Sequence, residues 1–172
     1  PEGLHNAQTD STAGDSSVFI DIAGHWAMTP VYELKKRGIV NGVSETEFAP
    51  EANITRAEFL SILTRMMGLS ADKADYSDVS ENSWYYGSIG AAQKAGIVNK
   101  HFIGENNEFN PDKAITREEI AVMLYDAAKL AYVDFPKYTE PLYKFGDTES
   151  ISPYAKESLE AMYMSGILSG YD

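Results

Sequence analysis

Two arginines occupy the same place in two copies of a short motif, and their type and position suit them to bind an anion. The copies read Thr55-Arg56-Ala57-Glu58 and Thr116-Arg117-Glu118-Glu119. A threonine followed three residues later by a glutamate predicts a capping box at a helix start. Each arginine then lies beside backbone N–H groups, where its planar guanidinium suits a carboxylate or phosphate. An ordinary helix start with a solvated arginine is the alternative interpretation.

Four further residues recur in the same way and have two interpretations each. Trp26 and Trp84 are suited to stack on sugar rings or to cover a pair of helices. Asp21 and Asp78 each follow an aromatic residue by two positions. We expect these aspartates to cap the helix that follows, and a hydrogen bond to a nearby loop is the alternative.

The motifs belong to a repeat that contains two helices in each copy. The first helix ends at a C′ glycine, Gly38 in one copy and Gly96 in the next. The turns that follow contain Asn41-Gly42 and Asn99-Lys100. Thr29-Pro30 is a candidate N-cap and first position for the helix that ends at Gly38.

Each capping motif begins the second helix of its repeat. In the first repeat this helix is predicted to run to about Met67, with Gly68 as its stop. Helical spacing predicts that Phe59, Leu63 and Met66 form its core-facing stripe.

A third copy starts at Phe145-Gly146-Asp147, and Ser152-Pro153 is predicted to begin its first helix. No third copy of the capping motif follows in the sequence. We therefore expect Leu159, Met162 and Tyr163 to form an apolar flank that lacks a second helix. Either further residues of a longer protein or another chain would supply that helix.

These patterns divide the chain into a polar tail, three repeats and a link, and they predict an all-α fold. The boundaries are 1–17 for the tail, 18–70 and 71–131 for the first two repeats, 132–144 for the linking segment and 145–172 for the incomplete third repeat.

The composition excludes several classes of function. A net charge of −12 argues against general binding to nucleic acid or to an anionic membrane surface. No apolar run reaches the roughly 20 residues that a membrane helix needs, so we expect no membrane insertion. The sequence has no cysteine, and its three histidines are far apart, so we predict no metal site. No pattern typical of a catalytic site or a cofactor site stands out, and we predict a binding module without a cofactor. The chain begins at Pro1, and we expect it to be a piece of a longer protein.

The repeats resemble the S-layer homology module, a tandem repeat of bacterial surface proteins, from Phe19 to Tyr171. The resemblance rests on four features. These are the aromatic-x-aspartate starts (Asp21, Asp78 and Asp147), the two tryptophans, the glycine-aliphatic turns and the two capping motifs. It implies three repeats in a pseudo-threefold spindle around a central helical bundle. It also implies an extracellular location in the cell wall or S-layer.

The resemblance further implies non-covalent anchoring by grooves that bind an anionic secondary cell wall polysaccharide, typically one with pyruvate ketals. This glycan is attached to peptidoglycan, and the motif arginine is implied to pair with its carboxylate. The residues implied to bind are Arg56, Arg117, Thr55, Thr116, Glu58, Glu119, Trp26, Trp84, Gly42, Asn41 and Asn99. Self-association with S-layer neighbours, as a structural assembly module, is the alternative function. The sequence departs from the family pattern at the absent third motif and at Lys100, where the family often has glycine.

Overall fold

The computed structural model describes residues 19–135 and 145–170, and within them the predicted all-α fold is confirmed. The five α-helices are α1 (Met28–Lys36), α2 (Arg56–Met66), α3 (Tyr86–Lys94), α4 (Arg117–Leu130) and α5 (Lys156–Met164). Four short 3₁₀ turns lie at Ile20–Ile22, Lys100–Phe102, Thr148–Ser150 and Pro153–Ala155. The predicted tail and most of the predicted linking segment fall outside the described residues.

Both predicted capping boxes are present, and they explain why α2 and α4 begin where they do. The Thr55 hydroxyl accepts the Glu58 N–H at 3.2 Å, and the Glu58 carboxylate accepts the Thr55 N–H at 2.8 Å. Thr116 and Glu119 make the same pair of bonds at 3.2 and 3.3 Å. The first turn of each helix therefore has a reciprocal cap.

The starts of the other helices differ from the predictions. The first helix begins at Met28 after Ala27, so the prediction of Thr29 as its N-cap is wrong. Ser152 and Pro153 begin a 3₁₀ turn, and α5 starts only at Lys156. The Ser152 side chain makes no cap hydrogen bond, because its hydroxyl bonds to the Glu118 carboxylate of α4.

The helices pack across repeats. The second helix of one repeat lies against the first helix of the next, as α2 against α3 and α4 against α5. Their inner faces share one core, whose most buried side chains are Leu60, Leu63, Ile89, Ile97, Phe109, Val122, Met123 and Met162. A smaller cluster under α1 contains Phe19, Ile22, Ala27 and Val31.

This pairing corrects two predictions about apolar faces. Leu159 and Met162 are buried, because α4 of the preceding repeat covers the flank of α5 that we expected to be open. The stripe on α2 is also rotated from its predicted position. Met66 is exposed, whereas Leu60 and Thr64 join Leu63 on the buried face.

The aspartates at the repeat starts hold loops in place. The Asp21 carboxylate accepts the Phe48 N–H at 3.0 Å and the Ala49 N–H at 2.6 Å. Asp78 bonds the Phe109 and Asn110 N–H groups at 2.8 and 2.7 Å. The loop alternative is therefore confirmed, and the prediction that the aspartates cap a helix is wrong.

Candidate functional site

The first motif arginine is buried and bonded within the protein. Arg56 is 4% exposed, and so is Glu119. Its Nε donates to Glu119 Oε2 at 3.2 Å and its Nη2 to Glu119 Oε1 at 2.5 Å. Its Nη1 donates to the carbonyls of Phe102 and Phe109 at 3.0 and 2.7 Å. Arg56 therefore joins the first repeat to the second, and its carboxylate partner is Glu119.

The backbone at the start of α2 is also occupied by protein groups. The N–H groups of Arg56 and Ala57 donate to the carbonyls of Lys113 and Pro111 at 2.9 and 3.0 Å. The Glu58 N–H is held by the capping threonine. An anion at this helix start would have to displace Glu119 and two carbonyls, and ligand binding by Arg56 stays a prediction.

Glu119 is ionised in this setting. Burial alone would raise the pKa of its carboxyl. The hydrogen bond from Arg56, the Thr116 N–H and the charges of Arg56 and Lys113 outweigh burial and lower the pKa below its usual value. The pair therefore consists of two charges, which makes it sensitive to the loss of either partner.

The second motif arginine lies in different surroundings. Arg117 is exposed, and its Nη2 donates to the Ser169 carbonyl at 2.7 Å. Arg117 thus contacts the turn of the third repeat. Ser169 holds the position in that turn that Asn41 and Asn99 hold in the turns of the first two repeats. A ligand-binding role for Arg117 stays a prediction.

Four residues of the predicted set meet in one groove of about 650 Å³, which we call the first groove. It lies between the turn of the first repeat, the start of α2 and the start of the second repeat. Asn41 and Gly42 line it from the turn, Glu58 from α2 and Trp84 from the second repeat. The apolar part of its wall consists of Val43, Phe48, Ala49, Pro50, Ala52, Ile54 and Ile62.

Arg65 is the cation of the first groove, and sequence reasoning missed it. It projects from the last turn of α2. Its Nε donates to the Ser61 carbonyl at 2.8 Å. With its amide turned to donate to the Val40 carbonyl, Asn41 accepts from Arg65 Nη1 at 3.0 Å. No carboxylate pairs with Arg65 among the residues that the structure describes.

Gly42 shapes the groove through close packing. A Cβ at this position would lie 2.3 Å from the Phe19 ring and 2.4 Å from the Glu47 carbonyl. A second cleft of about 440 Å³ meets the groove at Asn41 and Gly42, and it is lined by Phe19 and Lys35. Only glycine allows the turn to separate these two clefts at such short distances.

The repeated architecture and its motifs correspond to one family. The profile of the S-layer homology domain matches residues 19–60, 75–121 and 144–172, which together make up more than half of the chain. The chain belongs to the S-layer homology domain family. Its three matched segments follow the three repeats, and the third segment contains no capping motif.

Relatives of this S-layer homology domain include both enzymes and surface-layer proteins. It is 31% identical to an endoglucanase of Bacillus sp. (strain KSM-635), over 97% of this chain and 17% of that protein. It is 32% identical to the surface-layer 125 kDa protein of Lysinibacillus sphaericus, over 93% of this chain and 13% of that protein. The S-layer protein sap of Bacillus anthracis is 31% identical, over 92% of this chain and 19% of the relative. The chain thus spans less than a fifth of the length of each of these relatives.

The shared segment is an anchoring module of the bacterial surface. Proteins named as enzymes and proteins named as S-layer components both contain it, so no single enzymatic activity accounts for it. The module is extracellular, in the cell wall or S-layer, and its general function is surface anchoring.

The remaining predicted residues of the S-layer homology domain lie apart from the first groove or serve as caps. Trp26 is 83% exposed and is absent from the lining of the first groove. The Asn99 side chain accepts the His101 N–H at 3.1 Å and starts a 3₁₀ turn. This turn differs from the one at Gly42, which contains no 3₁₀ helix.

Within 19–135 and 145–170, no group of three or more acidic, histidine or cysteine side chains is placed to hold a metal ion. None of the helices in these ranges is both long enough and apolar enough to cross a bilayer.

Proposed function

We propose that this S-layer homology module anchors its parent protein non-covalently to the cell wall by binding an anionic secondary cell wall polysaccharide in the first groove. The observation that carries the proposal is the position of Arg65. Its guanidinium, which pairs with no carboxylate in ranges 19–135 and 145–170, lines the same groove as the exposed Trp84, and the groove is large enough for a sugar.

Arg65 is suited to hold the carboxylate of a pyruvate ketal. A guanidinium pairs with a carboxylate through charge-assisted hydrogen bonds, which are stronger than bonds between neutral groups. The Ser61 carbonyl accepts from Arg65 Nε at 2.8 Å, and Asn41, with its amide turned as described above, accepts from Nη1 at 3.0 Å, so that the guanidinium is oriented from two sides. The acid in the same groove, Glu58, is directed at the Thr55 N–H by its capping bond.

The walls of the groove suit the rest of a saccharide. Trp84 is 66% exposed, which leaves its ring available to stack on the apolar face of a pyranose. The apolar wall residues Phe48, Pro50 and Ile54 are partly buried and suit the methyl group of a ketal. The turn at Asn41 and Gly42 supplies backbone and amide groups for sugar hydroxyls.

Sedimentation with purified wall sacculi tests this function. We expect the chain to sediment with sacculi and to remain in solution after acid extraction has removed the secondary polymer. Arg65→Ala is expected to weaken binding by at least about tenfold, which corresponds to the loss of a charged hydrogen bond of about 1.5–3 kcal/mol. Arg65→Lys restores only part of it, because an ammonium lacks the planar fork.

Arg37→Ala is the matched control for charge. Arg37 is exposed at the end of α1 and does not line the groove, so its loss removes one positive charge elsewhere. Equal binding of Arg65→Ala and Arg37→Ala would refute the assignment of Arg65. Sedimentation that survives acid extraction would refute the polysaccharide as the ligand.

One observation favours the alternative function of structural assembly. The first repeat exposes several large apolar side chains, namely Ile20, Trp26 and Val43, at 66%, 83% and 63%. Exposed apolar groups of this size favour contact with another protein surface. Light scattering coupled to size exclusion, without any glycan, tests this alternative, and Trp26→Ser is expected to reduce self-association if it holds.

A further inference from the structure

The second repeat contains the equivalent of the first groove, and its residues differ at the positions of Arg65 and Trp84. We call this equivalent the second groove. Asp126 stands nine residues after Arg117, as Arg65 stands nine after Arg56. Tyr154 stands twelve residues before Gly166, as Trp84 stands twelve before Gly96.

An aromatic stack fills the second groove. The rings of His101 and Tyr154 lie 4.7 Å apart and are almost parallel, at 11°. Phe102 meets the same tyrosine edge-on at 5.9 Å. The ring that corresponds to the exposed Trp84 is therefore already stacked on another ring of the protein.

Glu118 fixes the tyrosine from α4. Its carboxylate accepts the Tyr154 hydroxyl at 3.1 Å, the Ser152 hydroxyl at 2.9 Å and the Ser152 N–H at 3.1 Å. The first repeat has Ala57 at the equivalent place and makes no such contact. The second and third repeats are thus joined through Tyr154, the counterpart of the groove residue Trp84.

The second groove also has the opposite charge at the position that Arg65 holds in the first groove. Asp126 replaces the guanidinium of Arg65 by a carboxylate, which pairs with Lys129 at 3.2 Å. An anionic sugar placed as in the first groove would meet this negative charge. Lys100 adds an exposed cation, but on the same 3₁₀ turn that brings His101 over Tyr154.

We infer that the described part of the chain, 19–135 and 145–170, carries one saccharide site, in the first groove, and that the second groove is a fixed joint between repeats two and three. This inference rests on the proposed function for the site itself. In it, Arg65 and Trp84 determine binding, whereas His101, Glu118 and Tyr154 position the third repeat.

Titration calorimetry with a methyl hexoside that carries a pyruvate ketal, and with the extracted polymer, tests the number of sites. We expect one hexoside bound per chain, a loss of at least about tenfold in affinity for Arg65→Ala, and wild-type affinity for Asp126→Ala. Two hexosides per chain would overturn the inference and leave the proposed function standing. One hexoside bound at wild-type affinity by Arg65→Ala would overturn the inference together with the assignment of Arg65 in the proposed function. Absence of binding to both hexoside and polymer would overturn both.

Thermal melts test the joint without any ligand. Tyr154→Ala is expected to lower the melting temperature by about 5 °C or more, because it removes a stacked ring and leaves Glu118 without one partner. Trp84→Ala, its counterpart in the open groove, is expected to shift the melt by no more than about 2 °C. Equal shifts in the two variants would show that Tyr154 is no more fixed than Trp84 and would contradict the joint.

Discussion

Replacement of Arg56 by alanine separates a structural role of the motif arginine from a ligand-binding role. The change removes four hydrogen bonds from a side chain that is 4% exposed, two to Glu119 and two to carbonyls. It leaves a buried carboxylate and two buried carbonyl oxygens that have lost a donor. The folded state then contains an uncompensated charge, which is the costly part of breaking such a pair.

The magnitude follows from those three acceptors. A buried acceptor left without its partner costs about 1–3 kcal/mol, and a carboxylate lies at or above the upper end. Water entry and relaxation reduce the sum, and breaking one side of a buried ion pair typically costs about 3–5 kcal/mol. We adopt this range for Arg56→Ala. In a domain of this size it corresponds to a fall in melting temperature of about 6–20 °C.

Urea denaturation followed by circular dichroism measures this difference directly. Arg117→Ala is the matched control, since it holds the same motif position but is exposed, and we expect it to cost less than about 1 kcal/mol. Replacing both Arg56 and Glu119 by methionine and leucine is expected to recover part of the stability, because no buried charge then remains unpaired, whereas the Phe102 and Phe109 carbonyls and the Thr116 N–H still lose a partner. A loss below about 1 kcal/mol for Arg56→Ala, together with loss of wall binding, would refute a structural role and restore the ligand-binding one.

Two further predictions concern pH and backbone packing. The pKa of Glu119 is lowered on folding from 4.5, so the unfolded state takes up a proton first as the pH falls, and the free energy of unfolding is expected to decrease below about pH 5. Denaturation curves across pH 3–6 measure how steeply the free energy of unfolding falls with pH. We expect a shallower fall in Glu119→Gln, together with lower stability near neutrality. Equal slopes in the variant and the wild type would contradict the role of Glu119. Gly42→Ala is expected to destabilise the fold by about 1–3 kcal/mol and to weaken sacculus binding, because its Cβ would meet the Phe19 ring. Gly146→Ala, where a Cβ meets nothing within 4 Å, is the control in thermal melts, and equal effects would contradict the packing argument.

Local rules predicted those parts of the fold that depend on nearby residues. A capping box involves positions three apart, and both boxes formed as the spacing indicates. The glycines that end helices also follow from a local rule, since Gly38 and Gly96 both adopt the positive φ that a C′ residue needs. The same local logic failed for Asp21, because a capping preference competes with loop N–H groups that are 27 and 28 residues away.

The candidate site depended on contacts that no local rule contains. Arg56 meets Glu119 across 63 residues, so its burial follows from the packing of one repeat on the next. Arg65 was missed because a basic residue in the last turn of a helix is adequately explained by the helix dipole. A signal was nevertheless present in the sequence, since the equivalent position in the second repeat has the opposite charge, Asp126.

Tandem repeats make such differences informative. When two copies share a scaffold, a residue that serves the scaffold is expected to recur, as the capping threonines and glutamates do. A residue that serves only one groove does not need to recur at the equivalent position of the other copy. The exchanges of Arg65 for Asp126 and of Trp84 for Tyr154 change the charge and the exposure of the groove, while the helices around both grooves keep the same pairing. The motif arginines show the converse, because an identical residue is buried in one copy, where Glu119 of the next repeat pairs with it, and exposed in the other.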